Sequence, residues 1–417
     1  MAAFQRAQVA TLVGRLAEPP RHIITLFGPR QSGKTTIVRQ ALRRIEQPGR
    51  YRTVDEPDPA PRVGTPRSRS ARTSAQPRPK DAAWLVREWE AARAEAAGSR
   101  RGAVLVLDEI QNIPQWSSTV KGLWDADRWE NRPLHVVVLG SSPLRMQSGL
   151  TESLAGRFTP IEVTHWSFSE MAEAFGLDLP SYLYFGGYPG AASMVRDQTL
   201  WRDHILKALV APNIERDVLA MTRVDKPALL RQLFELGASC SGQILSYTKL
   251  LGQLQDAGNT TTLARYLDLL QDAGLMAGLP KYASRPHRRG SSPKLSVLNT
   301  ALMTAGSGYS FEEARADRTF WGRIVESAVG AHLFNTATSD IRLYYWRDGQ
   351  HEVDFVMRRG PRLVAIEVKS GPRRASPNGL RTFETRFRPQ RVLLVGEGGV
   401  PLNEFLAAPA GYWIEDE

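Results

Sequence analysis

The sequence predicts an α/β protein of 417 residues in three parts. A parallel sheet with helices on both faces is expected over 1–180, a helical module in winged helix-turn-helix order over 181–300, and a small α/β block over 301–417. Three observations carry this reading. Apolar runs of strand length, "HIITLFG", "AVLVLDE" and "LHVVVLGSS", alternate with helical stretches in the first part, as crossover-connected parallel strands require. Leucines recur at helical spacing in "TLARYLDLLQDAG", with two strand-like runs after them. The last hundred residues hold a helix, "FWGRIVESAVGAHLF", followed by strands expected near 341–346, 352–357 and 362–369 and in "RVLLVG".

Composition narrows the class of protein. With 42% hydrophobic and 23% charged residues, the chain is globular, and its longest apolar runs suit a buried strand, too short to span a membrane. The first twenty residues lack a basic segment followed by an apolar block, so a cytoplasmic protein without a secretory signal is expected. The one cysteine, Cys240, forms no internal disulfide and is expected to be a small buried side chain; no Cys/His spacing suggests zinc. The net charge of +11 favours a polyanionic partner, with DNA first. Nine lysines against 45 arginines is also the skew that GC-rich coding produces, so charge alone decides little. Residues 57–80, rich in Pro, Ser and Arg, have too few apolar side chains to offset their ordering entropy and are expected to be a disordered loop.

The octet "GPRQSGKT", Gly28 to Thr35, lies between a strand and a helix and satisfies the full P-loop pattern. Gly28 and Gly33 let backbone N–H groups wrap a β-phosphate, Lys34 bridges β- and γ-phosphates, Thr35 coordinates Mg²⁺, and Thr36 is a further candidate for binding the nucleotide. ATP is the expected cofactor. A second strand ends in Asp108, expected to hold Mg²⁺, and Glu109, expected to polarise the attacking water. A third ends in Ser141 and Ser142, of which Ser141 is the candidate sensor of the γ-phosphate. Arg157, in "SLAGR", is a candidate for stabilising transition-state charge, in cis or from a neighbouring subunit of a homo-oligomer.

In the helical module, Leu263, Leu267 and Leu270 share one helix face, which turns Thr261, Thr262 and Arg265 outward, where they would meet a DNA groove unless the motif serves instead as a packing module or an ATPase lid. The following wing offers Lys281, Arg285, Arg288, Arg289 and Lys294 for phosphate contacts.

Near the end, "EVDFVMRRGPRLVAIEVKSG" reads as a hairpin. Ala365, Glu367 and Lys369 share one strand face, and a turn at Arg359-Gly360 sets Asp354 opposite Ala365, diagonal to Glu367. Two carboxylates so placed make a hard oxygen site for Mg²⁺ or Mn²⁺, with Lys369 beside it to stabilise charge on an attacked phosphate.

The motifs "LFGPRQSGKTT", "LDEIQ", "GSS", "SLAGR", "YFGGYPG", "RYLDLLQDAGL" and "VDFV…IEVK" together resemble a prokaryotic family of AAA-type ATPases with a C-terminal domain of unknown function. Two departures stand out: Asn299 replaces the family's usual aspartate, and the loop at 57–80 looks inserted. The hairpin is similar to that of PD-(D/E)XK nucleases, a resemblance that implies a helical glutamate at the metal, here Glu326, with Asp354, Glu367 and Lys369 as the other catalytic residues. The resulting expectation is an ATPase coupled to DNA binding and Mg²⁺-dependent cleavage of nucleic acid. The alternative is an ATP-regulated DNA- or protein-binding switch whose nuclease-like domain does not cut.

Overall fold

The computed structural model describes residues 4–55, 80–140, 153–218, 226–254, 258–283, 291–371 and 378–415. The chain divides into two compact units: Gln5–Gly28 with Gly33–Val163, and Met1–Phe4 with Pro29–Ser32 and Thr164–Glu417.

The first unit is built on five parallel strands, β1 (Ile23–Phe27), β2 (Gly49–Thr53), β3 (Ala103–Asp108), β4 (Leu134–Gly140) and β5 (Phe158–Glu162), in the order β2-β3-β4-β1-β5. Its central strands are apolar at nearly every position because both faces are covered. Alternation sorts their side chains between two cores. Val104, Val106, Val137 and Leu139 pack with Val9, Leu12 and Leu16 of α1 (Ala7–Ala17) and Ile37 and Val38 of α2 (Lys34–Leu42). Leu105, Leu107, Val136 and Val138 face Trp84, Leu85 and Trp89 of α3 (Ala82–Ala97) and Trp116, Val120 and Trp124 of α4 (Trp116–Trp129). Asp81 caps α3 by accepting a hydrogen bond from the Trp84 amide.

In the second unit, α5 (Phe168–Phe175) and α6 (Leu179–Phe185) precede α7 (Gln198–Asp203), which continues through π-helical turns at His204–Val210 and Asn213–Val218. Next come α8 (Pro227–Ser239), α9 (Tyr247–Gln253), α10 (Thr260–Asp272) and an antiparallel pair, β6 (Met276–Leu279) and β7 (Lys294–Val297). Leu263, Leu267 and Leu270 are buried, in keeping with their spacing. After α11 (Ala301–Thr304) and α12 (Phe311–Ala316), the long α13 (Arg318–Thr336) leads into a four-stranded sheet. That sheet has β8 (Arg342–Asp348), β9 (His351–Arg359) and β10 (Arg362–Lys369) antiparallel, with β11 (Arg391–Gly396) parallel to β10. Helix α14 (Asn378–Phe387) brings Phe383 onto the face of Val356 and Ala365, while Gly330 of α13 meets Phe355 on the other. Short helices α15 (Leu402–Ala407) and α16 (Ala410–Ile414) close the chain.

The sequence predicts boundaries at 180 and 300, whereas the packing divides the chain at 163/164 and holds 164–417 together. The reason is visible at the edge of the last sheet. Past β6 the chain runs alongside β8: the Tyr345 amide donates to the Pro280 carbonyl at 3.1 Å, and the Tyr282 amide to the Tyr345 carbonyl at 2.6 Å. The helical module and the final sheet therefore share backbone hydrogen bonds. Cys240 is half-buried beside Ser239, not buried as expected.

One polar group holds the core of the first unit together. Asp127 of α4, fully buried, accepts from Trp89 Nε1 at 2.8 Å and from Arg93 Nε at 2.7 Å. Removing one member of a buried charged network strands the others, so Asp127→Ala is expected to cost about 3 kcal/mol. Chemical denaturation monitored by tryptophan fluorescence checks this; a loss below about 1 kcal/mol contradicts it.

Candidate functional site

The P-loop leaves β1 at Phe27, and Gly33, at φ +92°, is the N-cap of α2. Only glycine occupies this left-handed conformation without strain, and it turns the chain so that the first amides of α2 face the loop. Lys34 is buried, its Nζ donating to the Gly28 carbonyl at 2.9 Å. The Thr35 hydroxyl donates to Asp108 Oδ2 at 3.1 Å, and Thr36 is exposed. Asp108 ends β3, two strands from β1 with β4 between them, and is buried at that end of the sheet.

Two further side chains were not apparent from the motifs. Tyr51, on β2 beside β3, donates its hydroxyl to Asp108 Oδ2, and Gln111 Nε2 donates to Glu109 Oε2. Burial and the Asp108 carboxylate push the Tyr51 phenol well above its ordinary range, so it remains a donor. Glu109 has a left-handed backbone, φ +56°, with its amide donating to the Leu139 carbonyl at 3.1 Å. Lys34, Thr35, Asp108 and Glu109 thus gather at one end of the sheet.

Arg157 is elsewhere. Its carbonyl accepts from the Ile23 amide at the opposite end of β1, and its guanidinium makes two hydrogen bonds to Asp125, at 2.7 and 3.1 Å. A strand of this length separates it from the P-loop by roughly 15 Å, beyond an arginine's reach, which corrects the expectation of a role in cis. Ser141, Ser142, Arg285, Arg288 and Arg289 lie outside the described residues, as does most of the loop expected over 57–80.

On α10, Thr261 and Arg265 are exposed as expected. Thr262 is half-buried instead, because its amide and hydroxyl both donate to Asn259 Oδ1, at 2.8 and 3.1 Å, in the helix cap.

The hairpin of β9 and β10 turns at Gly360-Pro361, with Arg359 paired to Arg362, one residue later than the sequence suggests. The expected register is therefore off by two. Continued past Ile366–Phe355, the observed register sets Asp354 directly opposite Glu367. A shift of two preserves the face, so the acids still converge. Lys369 Nζ lies 2.6 Å from Glu367 Oε1, and the Val368 amide donates to Asp354 Oδ2 at 2.9 Å.

The expected metal position is otherwise filled. Lys294, read from the sequence as an exposed wing residue, is 1% exposed, with its Nζ 2.6 Å from Glu326 Oε1, 3.1 Å from Asp354 Oδ1 and 3.5 Å from Glu352 Oε1. Among the described residues, no three His, Cys, Asp or Glu side chains stand so as to hold a metal ion. Glu326, Asp354 and Glu367 as they stand thus do not fit a divalent cation, which corrects the assignment of Glu326, Asp354 and Glu367 as its ligands. Burial, together with the Asp354 charge, pushes Glu326 and Glu367 up to about 7.

The "YFGGYPG" segment acquires a physical account. Gly186, at φ +73°, lies so close to Asn299 that a Cβ would fall 2.1 Å from Asn299 Oδ1. That buried oxygen accepts from the amides of Gly187 at 3.1 Å and Ala301 at 3.2 Å, while Asn299 Nδ2 faces His165 Nδ1 at 3.3 Å. Asparagine, with both an acceptor and a donor, serves all three partners.

A glycine-led helix start with Lys34 and Thr35, beside Asp108 and Glu109 at one end of a parallel sheet, defines a P-loop ATPase domain. The domain is of the AAA type: residues 20–172 match a family model described as an AAA domain. Residues 176–313 and 321–413 match two domains of unknown function, DUF8612 and DUF4143. No curated protein matches the chain. Among solved structures, the chain is similar to a Walker-type ATPase of Pyrococcus abyssi, with 16% identity over 73% of this chain and 95% of the other, at a TM-score of 0.48. It is also similar to the Holliday junction branch migration motor RuvB of Thermotoga maritima (15%, 66% and 90%, TM-score 0.31). A third is the Orc1 protein of Aeropyrum pernix in complex with DNA (14%, 76% and 95%, TM-score 0.29).

The acidic cluster sets a pH dependence. A carboxyl raised in the fold from its unfolded value near 4.3 contributes stability that is complete below that value and is lost as pH rises through about 7. Stability is therefore expected to fall between pH 5.5 and pH 8.5, and Glu326→Gln should remove on the order of 2 kcal/mol of that fall. Urea midpoints across this range provide the check; an unchanged slope in Glu326→Gln contradicts it.

Proposed function

We propose that the protein binds and hydrolyses ATP at the P-loop and uses the nucleotide state to control its association with nucleic acid, most simply DNA. The single observation that carries the ATPase reading is the Thr35 hydroxyl 3.1 Å from Asp108, next to the buried Lys34. Thr35 and Asp108 together fit a Mg²⁺ ion, which when bound supplies charge neutralisation to the phosphates. Lys34 would leave the Gly28 carbonyl for the β- and γ-phosphates, and Glu109 would orient the attacking water. Gln111, bonded to Glu109, positions that carboxylate. A homo-oligomer is the arrangement in which Arg157 would act, after exchanging Asp125 for a neighbour's nucleotide.

Support for a nucleic-acid partner comes from the charge of +11 and from the order of α9, α10, β6 and β7, with Thr261 and Arg265 on the exposed side of α10. No helix among the described residues is long and apolar enough to cross a membrane. Between the two readings of the last sheet, the arrangement favours a surface that binds without cutting, because Lys294 stands among the acids that cleavage requires free for Mg²⁺ or Mn²⁺.

Lys34→Ala is expected to abolish ATP hydrolysis, and Glu109→Gln to slow it about 100-fold while ATP still binds. Arg265→Ala should weaken DNA binding and lower its salt dependence by about one ion. Steady-state phosphate release and fluorescence anisotropy at several salt concentrations measure these effects. Wild-type cleavage of plasmid with Mg²⁺, lost in Asp354→Ala, would overturn the non-cutting reading.

A further inference from the structure

We propose that a polar groove of about 590 Å³ in the second unit holds the sugar–phosphate backbone of DNA without reading its bases. The inference rests on the nucleic-acid reading above and gives it a location. Lys249 of α9, Lys281 just beyond β6 and Arg347 of β8 line the groove together with Ser246, Ser291 and Ser292. Among the described residues, no carboxylate lines it.

Three cations brought together without an acid between them repel one another, and an anion laid along them removes that cost. Lys249 and Lys281 have no ion-pair partner among the described residues. Arg347 Nη1 stands 3.9 Å from Glu352 Oε2, on a carboxylate that already faces Lys294. Ser246 Oγ accepts from the Lys249 amide at 3.2 Å, which leaves its own proton to donate. Cations mixed with hydroxyls are the groups that meet phosphate oxygens in protein–DNA contacts.

Backbone hydrogen bonds fix the spacing of these groups, although they come from separate parts of the chain. The Tyr345 amide donates to the Pro280 carbonyl and the Tyr282 amide to the Tyr345 carbonyl, which sets Lys281 beside β8, opposite Tyr345 and next to Arg347. The Leu245 amide donates to the Pro293 carbonyl at 3.1 Å, and the Tyr345 hydroxyl to the Ser292 carbonyl at 2.6 Å, which brings Ser246 and α9 to the same place. A site fixed in this way loses little freedom on binding. Its lining also selects the ligand. Sites for small molecules are mostly apolar, whereas this groove is polar along its length. Tyr345, the aromatic residue in the lining, is 2% exposed and offers no ring on which a base could stack. What the groove can contact is therefore backbone.

Fluorescence anisotropy of the full chain with two labelled DNA duplexes of unrelated sequence, at several salt concentrations and with and without ATP, tests the proposal. A chain carrying Lys249→Ala, Lys281→Ala and Arg347→Ala is expected to bind both duplexes about tenfold or more weakly than the wild type, by the same factor on each. Its salt dependence should fall by about three ions. A control chain carrying Arg196→Ala, Arg318→Ala and Arg381→Ala, exposed positions outside the groove, loses the same net charge and should stay within about threefold of the wild type.

An equal loss in the control overturns the proposal, because net charge then carries the effect. So does a loss confined to one duplex, which would mean that bases are read. If the alanine chain loses its circular dichroism, glutamine at the same three positions takes its place. A wild type that binds neither duplex sinks the groove together with the reading on which it rests; a wild type that binds while the groove variant binds equally well sinks the groove alone.

Discussion

The ion cluster around Lys294 is the constraint on which the second unit depends. It joins β7, α13 and β9, elements some thirty to sixty residues apart in the chain, through contacts of one ammonium. An unpaired buried charge costs several kcal/mol, so none of the three can separate without exposing that cost. Five residues on, Asn299 repeats the device with neutral groups, tying the start of α11 to the Gly186-Gly187 turn. The segment from Lys294 to Ala301 is thus fastened at both ends. This explains in energetic terms why helices and sheet that read as separate modules pack as one.

The first unit is organised differently. Its sheet is apolar on both faces, and its polar chemistry is pushed to one edge, where strands end and helices begin. There the groups bond to one another: Lys34 to the Gly28 carbonyl, and Thr35 and Tyr51 both to Asp108. Each of these bonds satisfies polar groups that the fold draws away from water.

What the sequence revealed and what it hid follow from the range of the interactions. The P-loop, the acidic strand end and the buried face of α10 are local patterns, fixed by spacings of a few residues, and they are found where the sequence puts them. Asp354 and Glu367 were also legible as one face, because a two-residue error in register leaves strand parity unchanged. Lys294 was not. In "SSPKLSVLN" nothing separates a buried lysine from an exposed one, since its partners are supplied from beyond residue 325. Arg157 failed for a related reason: motif order along the chain does not tell which end of a strand a loop returns to.

The cluster also changes how the last sheet looks from a distance. Four carboxylates, on Glu326, Glu352, Asp354 and Glu367, would form a strongly negative patch and repel a phosphate backbone at the range of a Debye length. Two lysines, 294 and 369, are built into it at 2.6 Å from Glu326 and Glu367. Their two positive charges offset half of the four negative ones, which weakens the field of the patch on a chain whose net charge is +11.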